Sequence, residues 1–170
     1  MRRWDVVTVV TAPVPWDAKG RGLFLAGGIT GCPDWQAQVV AGLHSQDVTL
    51  LNPRRPNFPI GDPAAAEEQI RWEYDHFRLA DAALFWFPAE SICPIVLFEL
   101  GAWLSGGHVR GARLFVATHP AYSRRQDVVI QTRLRDPAVV VGDSLASLVA
   151  DVLAWLGASG GEASSGGGTT

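Results

Sequence analysis

Cysteine is scarce in this chain, with two among 170 residues, Cys32 and Cys93, too few for a disulfide framework. Neither stands at metal-ligand spacing from a histidine, so no metal is expected. A basic excess is missing as well. Fourteen Lys and Arg against 17 Asp and Glu give a net charge of −3 and a pI of about 5.7. That balance leaves no broad positive surface for a nucleic-acid polymer. No charge run marks a membrane-binding face, and no apolar run reaches the roughly 18 residues of a membrane span, so no membrane partner is expected. The opening string MRRWDVVTVV sets two arginines before valines, but Asp5 and Thr8 interrupt it and no small-residue cleavage site follows. Together these absences point to a reducing, cytoplasmic setting.

What is present is apolar. Hydrophobic residues make up 48% of the chain, enough for one core at this length. One domain is expected over residues 1–156, with 1–20 as an N-terminal extension in which residues 5–11 could add an edge strand. The Gly/Ser-rich string GASGGEASSGGGTT, residues 157–170, offers nothing apolar beyond alanine and is expected to be a disordered tail.

Short apolar runs alternate with helical patterns: LFLAGG with PDWQAQVVAGLHSQ, VTLLN with PAAAEEQIRWEYDHFRLA, DAALFWF with PIVLFELGAWLSGG, ARLFVAT with a long loop, and AVVVG with SLASLVADVLAWLG. Such alternation predicts an α/β domain of βαβ units on a parallel sheet. Asp62-Pro63 and Cys93-Pro94 place proline at the first position of a helix, and Gly106-Gly107 ends the second of these helices. In such sheets ligands lie outside the carboxyl ends of the strands. The strand-to-helix loops at 27–35, 52–63, 88–94 and 119–127 are therefore the candidate site.

Two carboxylates carry the chemistry. Glu99 is the one charge in CPIVLFELGAWL, a helix so apolar that little of it is expected to face water. Burial raises a carboxyl pKa while helix N–H groups lower it, so Glu99 is either a poorly solvated nucleophile or a structural partner of loop N–H groups or an arginine. On residues 64–80 a helical wheel gathers Ala66, Ile70, Tyr74, Phe77 and Ala80 in one arc, with Glu73 inside it. Asp75 falls on the solvated side between Arg71 and Arg78. Two inward carboxylates are the equipment for cleaving a glycosidic bond, and equally for structural ion pairs with Arg54 or Arg125.

Other residues offer binding groups. Gly27, Gly28 and Ile29 open a loop where backbone can approach a ligand closely. Asn52 and Arg54 stand at a strand end suited to a phosphate, and Trp35 and Phe87 could stack on a base. Cys93, Arg125 and Asp127 lie in or beside the later loops.

The strings LFLAGGI, NPRRP, QIRWE, ADAALFWFPAESICPIVLFELG and RRQDVVIQT occur in an order that resembles the nucleoside 2-deoxyribosyltransferase-like proteins, over roughly residues 22–155. The resemblance implies a flavodoxin-like doubly wound sheet of five parallel strands in the order 2-1-3-4-5, in three α/β/α layers. It implies homo-oligomers, at least dimers, whose active site is completed by a neighbouring subunit. It further implies that Glu99 forms a covalent glycosyl-enzyme intermediate and that Glu73, eight residues before Asp81, assists. The substrate would be a nucleoside or nucleoside monophosphate, the acceptor another base or water, and no cofactor would be needed. Where those transferases carry a base-contacting aspartate, this chain has Cys93, and a tyrosine position falls on Phe24. The alternatives are a nucleotide-binding sensor without catalysis and a purely structural carboxylate network.

Overall fold

A computed structural model of the chain describes residues 7–109 and 111–160. The elements run β1 (Thr8–Thr11), β2 (Gly22–Gly27), α1 (Trp35–Gly42), β3 (Thr49–Asn52), α2 (Pro63–Leu79), β4 (Ala82–Phe87), α3 (Pro94–Leu104), β5 (Arg113–Thr118), α4 (Arg125–Arg135) and α5 (Leu145–Gly160). All sheet pairings are parallel. The two middle strands, GLFLAG and AALFWF, are apolar on both faces and buried throughout, as a parallel sheet covered by helices on both sides requires.

Strand alternation divides the core in two. Phe24, Ala26, Phe85 and Phe87 face one side with Trp72 and Phe77 of α2, Val96, Leu100 and Trp103 of α3 and Val128 of α4. Leu23, Leu25, Leu84 and Trp86 face the other with Trp35 and Val39 of α1 and Leu148 and Val152 of α5. On the first side the rings interlock edge-on: Phe77 meets Phe24 at 5.4 Å and Trp103 at 5.0 Å between centroids.

The five-stranded sheet has the order β1-β3-β2-β4-β5, which corrects the expected 2-1-3-4-5. The difference lies at the two edges. Residues 8–11 pair with β3 in full register, Thr8 to Thr49 through Thr11 to Asn52. The expected last strand AVVVG forms no ladder; among the described residues the one bridge outside the named strands runs from Ala117 to Gly142. Val139 and Val141 pack against the core while Val140 stays 84% exposed, so this β-branched run contributes side chains rather than pairing.

Three further departures concern helices. The segment read as a long loop after β5 contains α4, whose buried residues are only Val128 and Thr132, too faint a stripe to announce a helix. The last helix continues to Gly160, four residues beyond the expected boundary at Leu156, and residues 161–170 lie outside the described part. The buried stripe of α2 is Ala65, Trp72, His76 and Phe77, which leaves Ile70 64% and Tyr74 58% exposed. The wheel arc is therefore rotated toward Trp72, whose indole N–H donates to the Val14 carbonyl at 2.6 Å, and toward His76, whose Nε2 accepts from the Trp16 N–H at 2.9 Å. These bonds hold the segment after β1 against α2.

Candidate active site

The chain passes from β2 to β3 on one side and then returns to β4 on the other, so strand order reverses between β2 and β4. A cavity of about 280 Å³ opens at that point. Its walls are Gly27 to Thr30 after β2, Pro53 after β3, Ser91 and Cys93 to Val96 at the start of α3, and Phe24 and Ala26 from the inner face of β2. Glu73 of α2 and Glu99 of α3 also line it. Position follows the general rule for open parallel sheets.

Each wall has a local cause. Asp62 caps α2, its Oδ1 accepting from the Ala64 N–H at 2.9 Å, with Pro63 next. That start fixes the phase in which Glu73 points at the cavity mouth. Pro94 opens α3 in the same way, but the cap residue Cys93 makes no side-chain capping bond and sits in the left-handed region at φ 52°. That backbone costs a non-glycine residue roughly 1–2 kcal/mol. It is held by Ser91, whose Oγ accepts from the Cys93 N–H at 3.2 Å. Val96, Leu100 and Trp103 anchor the helix to the sheet, and Glu99 falls between them and the exposed Ile95 and Phe98. Much of α3 therefore faces outward, unlike the expectation that little of it would.

Gly27 and Gly28 are required for space rather than for a left-handed backbone. A Cβ on Gly27 would stand 2.4 Å from the Trp35 ring and 2.7 Å from the Trp86 carbonyl oxygen. A Cβ on Gly28 would stand 2.7 Å from the sulfurs of both Cys32 and Cys93. Gly31 alone in this loop has positive φ, at 72°.

Electrostatically the two glutamates differ. Glu73 Oε1 accepts from the Gln69 side-chain N–H at 2.8 Å, and the same amide donates to the Pro53 carbonyl at 2.8 Å. Burial raises the Glu73 pKa, and the Gln69 bond opposes it. Glu99 has no hydrogen bond or ion pair among the described residues. Burial first, and the facing Glu73 charge second, push its pKa up to about 8. Among the described residues no arginine pairs with it. Arg54 donates to Gln36 Oε1 and the Pro33 carbonyl at 2.8 Å each and lies 3.6 Å from Asp34, whereas Arg125 donates to the Thr118 side chain and carbonyl.

The cavity thus gathers Glu99, Glu73, Gly27, Gly28, Ile29 and Cys93. The other residues singled out from sequence stand elsewhere. Trp35 is buried beneath the glycine loop, its indole N–H donating to the Gly28 carbonyl at 2.9 Å. Phe87 is fully buried, 5.2 Å from Tyr122 between centroids. Asn52 caps its own loop by accepting from the Arg54 N–H at 2.9 Å, and Asp127 pairs with Arg124 at 3.0 Å. Residues that sequence reasoning passed over are Thr30, Pro53 and Ser91, whose one signal was their place in strand-to-helix loops, and Ile95 in the first turn of α3. No group of three or more metal-ligating side chains occurs among the described residues.

A family model described as nucleoside 2-deoxyribosyltransferase like matches residues 20–112. The chain belongs to this family. The match spans β2 through α3 and hence every wall of the cavity. This nucleoside 2-deoxyribosyltransferase-like chain is accordingly an enzyme of the nucleoside-processing kind, with a nucleoside or nucleotide as the class of substrate. No curated protein matches it. Among the described residues, no helix is long and apolar enough to cross a membrane.

Proposed function

We propose that this enzyme cleaves the N-glycosidic bond of a nucleoside or nucleoside monophosphate by double displacement, with Glu99 as nucleophile. The observation that carries the proposal is an unpaired carboxyl, Glu99, facing a second carboxyl, Glu73, in one cavity at the strand-order reversal. A carboxylate held as a structural partner would be hydrogen-bonded, and among the described residues Glu99 is not. At about 280 Å³ the cavity falls near the small end of ligand sites, roughly 300–1,000 Å³, which suits a nucleoside.

In the first step a Glu99 oxygen bonds to C1′ as the C1′–N bond breaks, and the departing base takes a proton from Glu73 or from water. In the second, water or another base attacks C1′ and frees Glu99. Attack requires Glu99 to be ionised, and at rest its proton is held tightly. The pair solves this when its one proton lies on Glu73, which is also where the leaving base needs an acid. Cys93 stands where related transferases contact the base, so recognition of the base rests on the loop backbone at Gly27 to Thr30 and on the Cys93 thiol.

Ile70 and Tyr74 on α2 and Ile95 and Phe98 on α3 leave a large apolar area open on the two helices that carry the glutamates. A second copy of the chain covers them in this reading, and light scattering of the purified protein checks it. The reaction is tested by chromatography of released base from a panel of nucleosides and their monophosphates, with and without an acceptor base. Base release that Glu99→Gln abolishes supports the proposal; tight nucleotide binding without any release would indicate a sensor instead.

A further inference from the structure

The chain's two cysteines, thirty-second and ninety-third in sequence, are brought together beside one glycine. Cys32 lies between β2 and α1, and Cys93 between β4 and α3. Both sulfurs stand 2.7 Å from the single point that a Gly28 Cβ would occupy. They share the space left by that missing side chain, and each thiol perturbs the titration of the other. Each is also tied to its own loop: Cys32 Sγ donates to the Thr30 carbonyl at 3.6 Å and Cys93 Sγ to the Ser91 carbonyl at 3.4 Å. Both are free thiols, Cys32 partly exposed and Cys93 buried on the cavity wall.

We propose that Cys32 and Cys93 form a reversible disulfide that closes over Gly28, a modification site built into the wall of the substrate cavity. The co-reactant is a low-molecular-weight disulfide. The Cys32 thiolate, the more exposed of the two, attacks one of its sulfurs; that S–S bond breaks, a thiolate leaves, and a mixed disulfide stands on Cys32. Cys93 then loses its proton and attacks the Cys32 sulfur, expelling the second small thiol. Two protein S–H bonds become one S–S bond, and the small disulfide is reduced to two thiols. Because both sulfurs stand 2.7 Å from one point and β2 and β4 are adjacent strands, the new bond joins neighbouring loops. It draws Cys93 out of contact with ligand and ties the first residue before α3 to the loop before α1. The helix that carries Glu99 is thereby coupled to the thiol–disulfide balance of its surroundings.

The bond itself is independent of the reaction proposed for Glu99, whereas its effect on turnover rests on that reading. The test is to incubate the folded, full-length protein with oxidised glutathione, alkylate remaining thiols, and measure the intact mass and the peptide map. The expected result is loss of both alkylatable thiols with no retained glutathione, a linked peptide pair containing Cys32 and Cys93 within one chain, and full reversal by dithiothreitol. Cys32→Ser is expected to keep the Cys93 thiol alkylatable and to make base release insensitive to oxidised glutathione, while wild-type release falls and recovers on reduction. Thiols that stay free in the wild type, stable glutathione adducts, or a bond between chains only would overturn the site. An intrachain bond without any change in base release would leave the site standing and overturn its coupling to Glu99.

Discussion

Glu73 and Glu99 reach one cavity from two different helices, and the Glu73 charge adds to burial in holding a proton on Glu99. Burial is the larger cause and the like charge the smaller. The Glu73→Gln variant should therefore lower the Glu99 pKa from about 8 without returning it to the ordinary carboxylate value. Carbon-detected NMR of the side-chain carboxyl as a function of pH reads this directly. An unchanged titration in Glu73→Gln would mean that the two groups do not sense each other.

The raised pKa also has a stability consequence. An unfolded glutamate releases its proton near pH 4.5, whereas folded Glu99 keeps it to about 8, so the folded state binds more protons across that window. Stability contributed by this site is complete below pH 4.5 and is lost as pH rises through about 8. Glu99→Gln removes the dependence. At pH 8 it should be more stable than the wild type by about 1–3 kcal/mol, since solvent partly screens the site, and the difference should shrink at pH 5. Urea denaturation of both proteins at the two pH values checks the sign.

Gly27→Ala tests whether the glycine loop is fixed by space. Its Cβ meets a buried ring at 2.4 Å and a backbone oxygen at 2.7 Å, neither free to move away, so a loss of about 1–3 kcal/mol is expected together with impaired ligand binding. At Gly101 in α3 a side-chain Cβ would meet nothing within 4 Å. Gly101→Ala should instead gain roughly 0.5–1 kcal/mol from helix propensity. Thermal unfolding of the two variants side by side distinguishes them.

Arg54 divides a phosphate-binding role from a structural one. It holds the side chain of Gln36, which is wholly buried, and a carbonyl at the start of α1. Arg54→Ala should cost about 1–3 kcal/mol by leaving the Gln36 oxygen unpaired. A raised KM for a monophosphate with no loss of stability would assign it to the ligand instead.

How far the molecule could be read from sequence follows from where apolarity is spent. The strands GLFLAG and AALFWF announce themselves because both faces are buried, and Pro63 and Pro94 mark helix starts because proline suits a first turn that lacks N–H partners. The helical wheel sets Glu73 on an inward face of α2 but centres that face on the wrong residues. Ile70 and Tyr74 look like core to any periodicity argument, yet they are exposed, while Trp72 and His76 are drawn inward by the Val14 carbonyl and the Trp16 amide. Partners that distant in sequence leave no local signal. The same holds for Arg54 and Trp35, read as ligand-facing groups but engaged by Gln36 and by the Gly28 carbonyl. Cys32 offers no hint of its place near Cys93, because Gly28, which makes room for both sulfurs, reads in sequence as a place for backbone to approach a ligand.

The central claim is that Glu99 carries the sugar between two half-reactions, and the most direct measurement is peptide mapping of the enzyme acid-quenched during turnover. The account predicts a pentosyl adduct on the peptide that contains Glu99, absent in Glu99→Gln, which should release base at least about a thousandfold more slowly. Base release by Glu99→Gln at the wild-type rate, or an adduct carried by another residue, would contradict it.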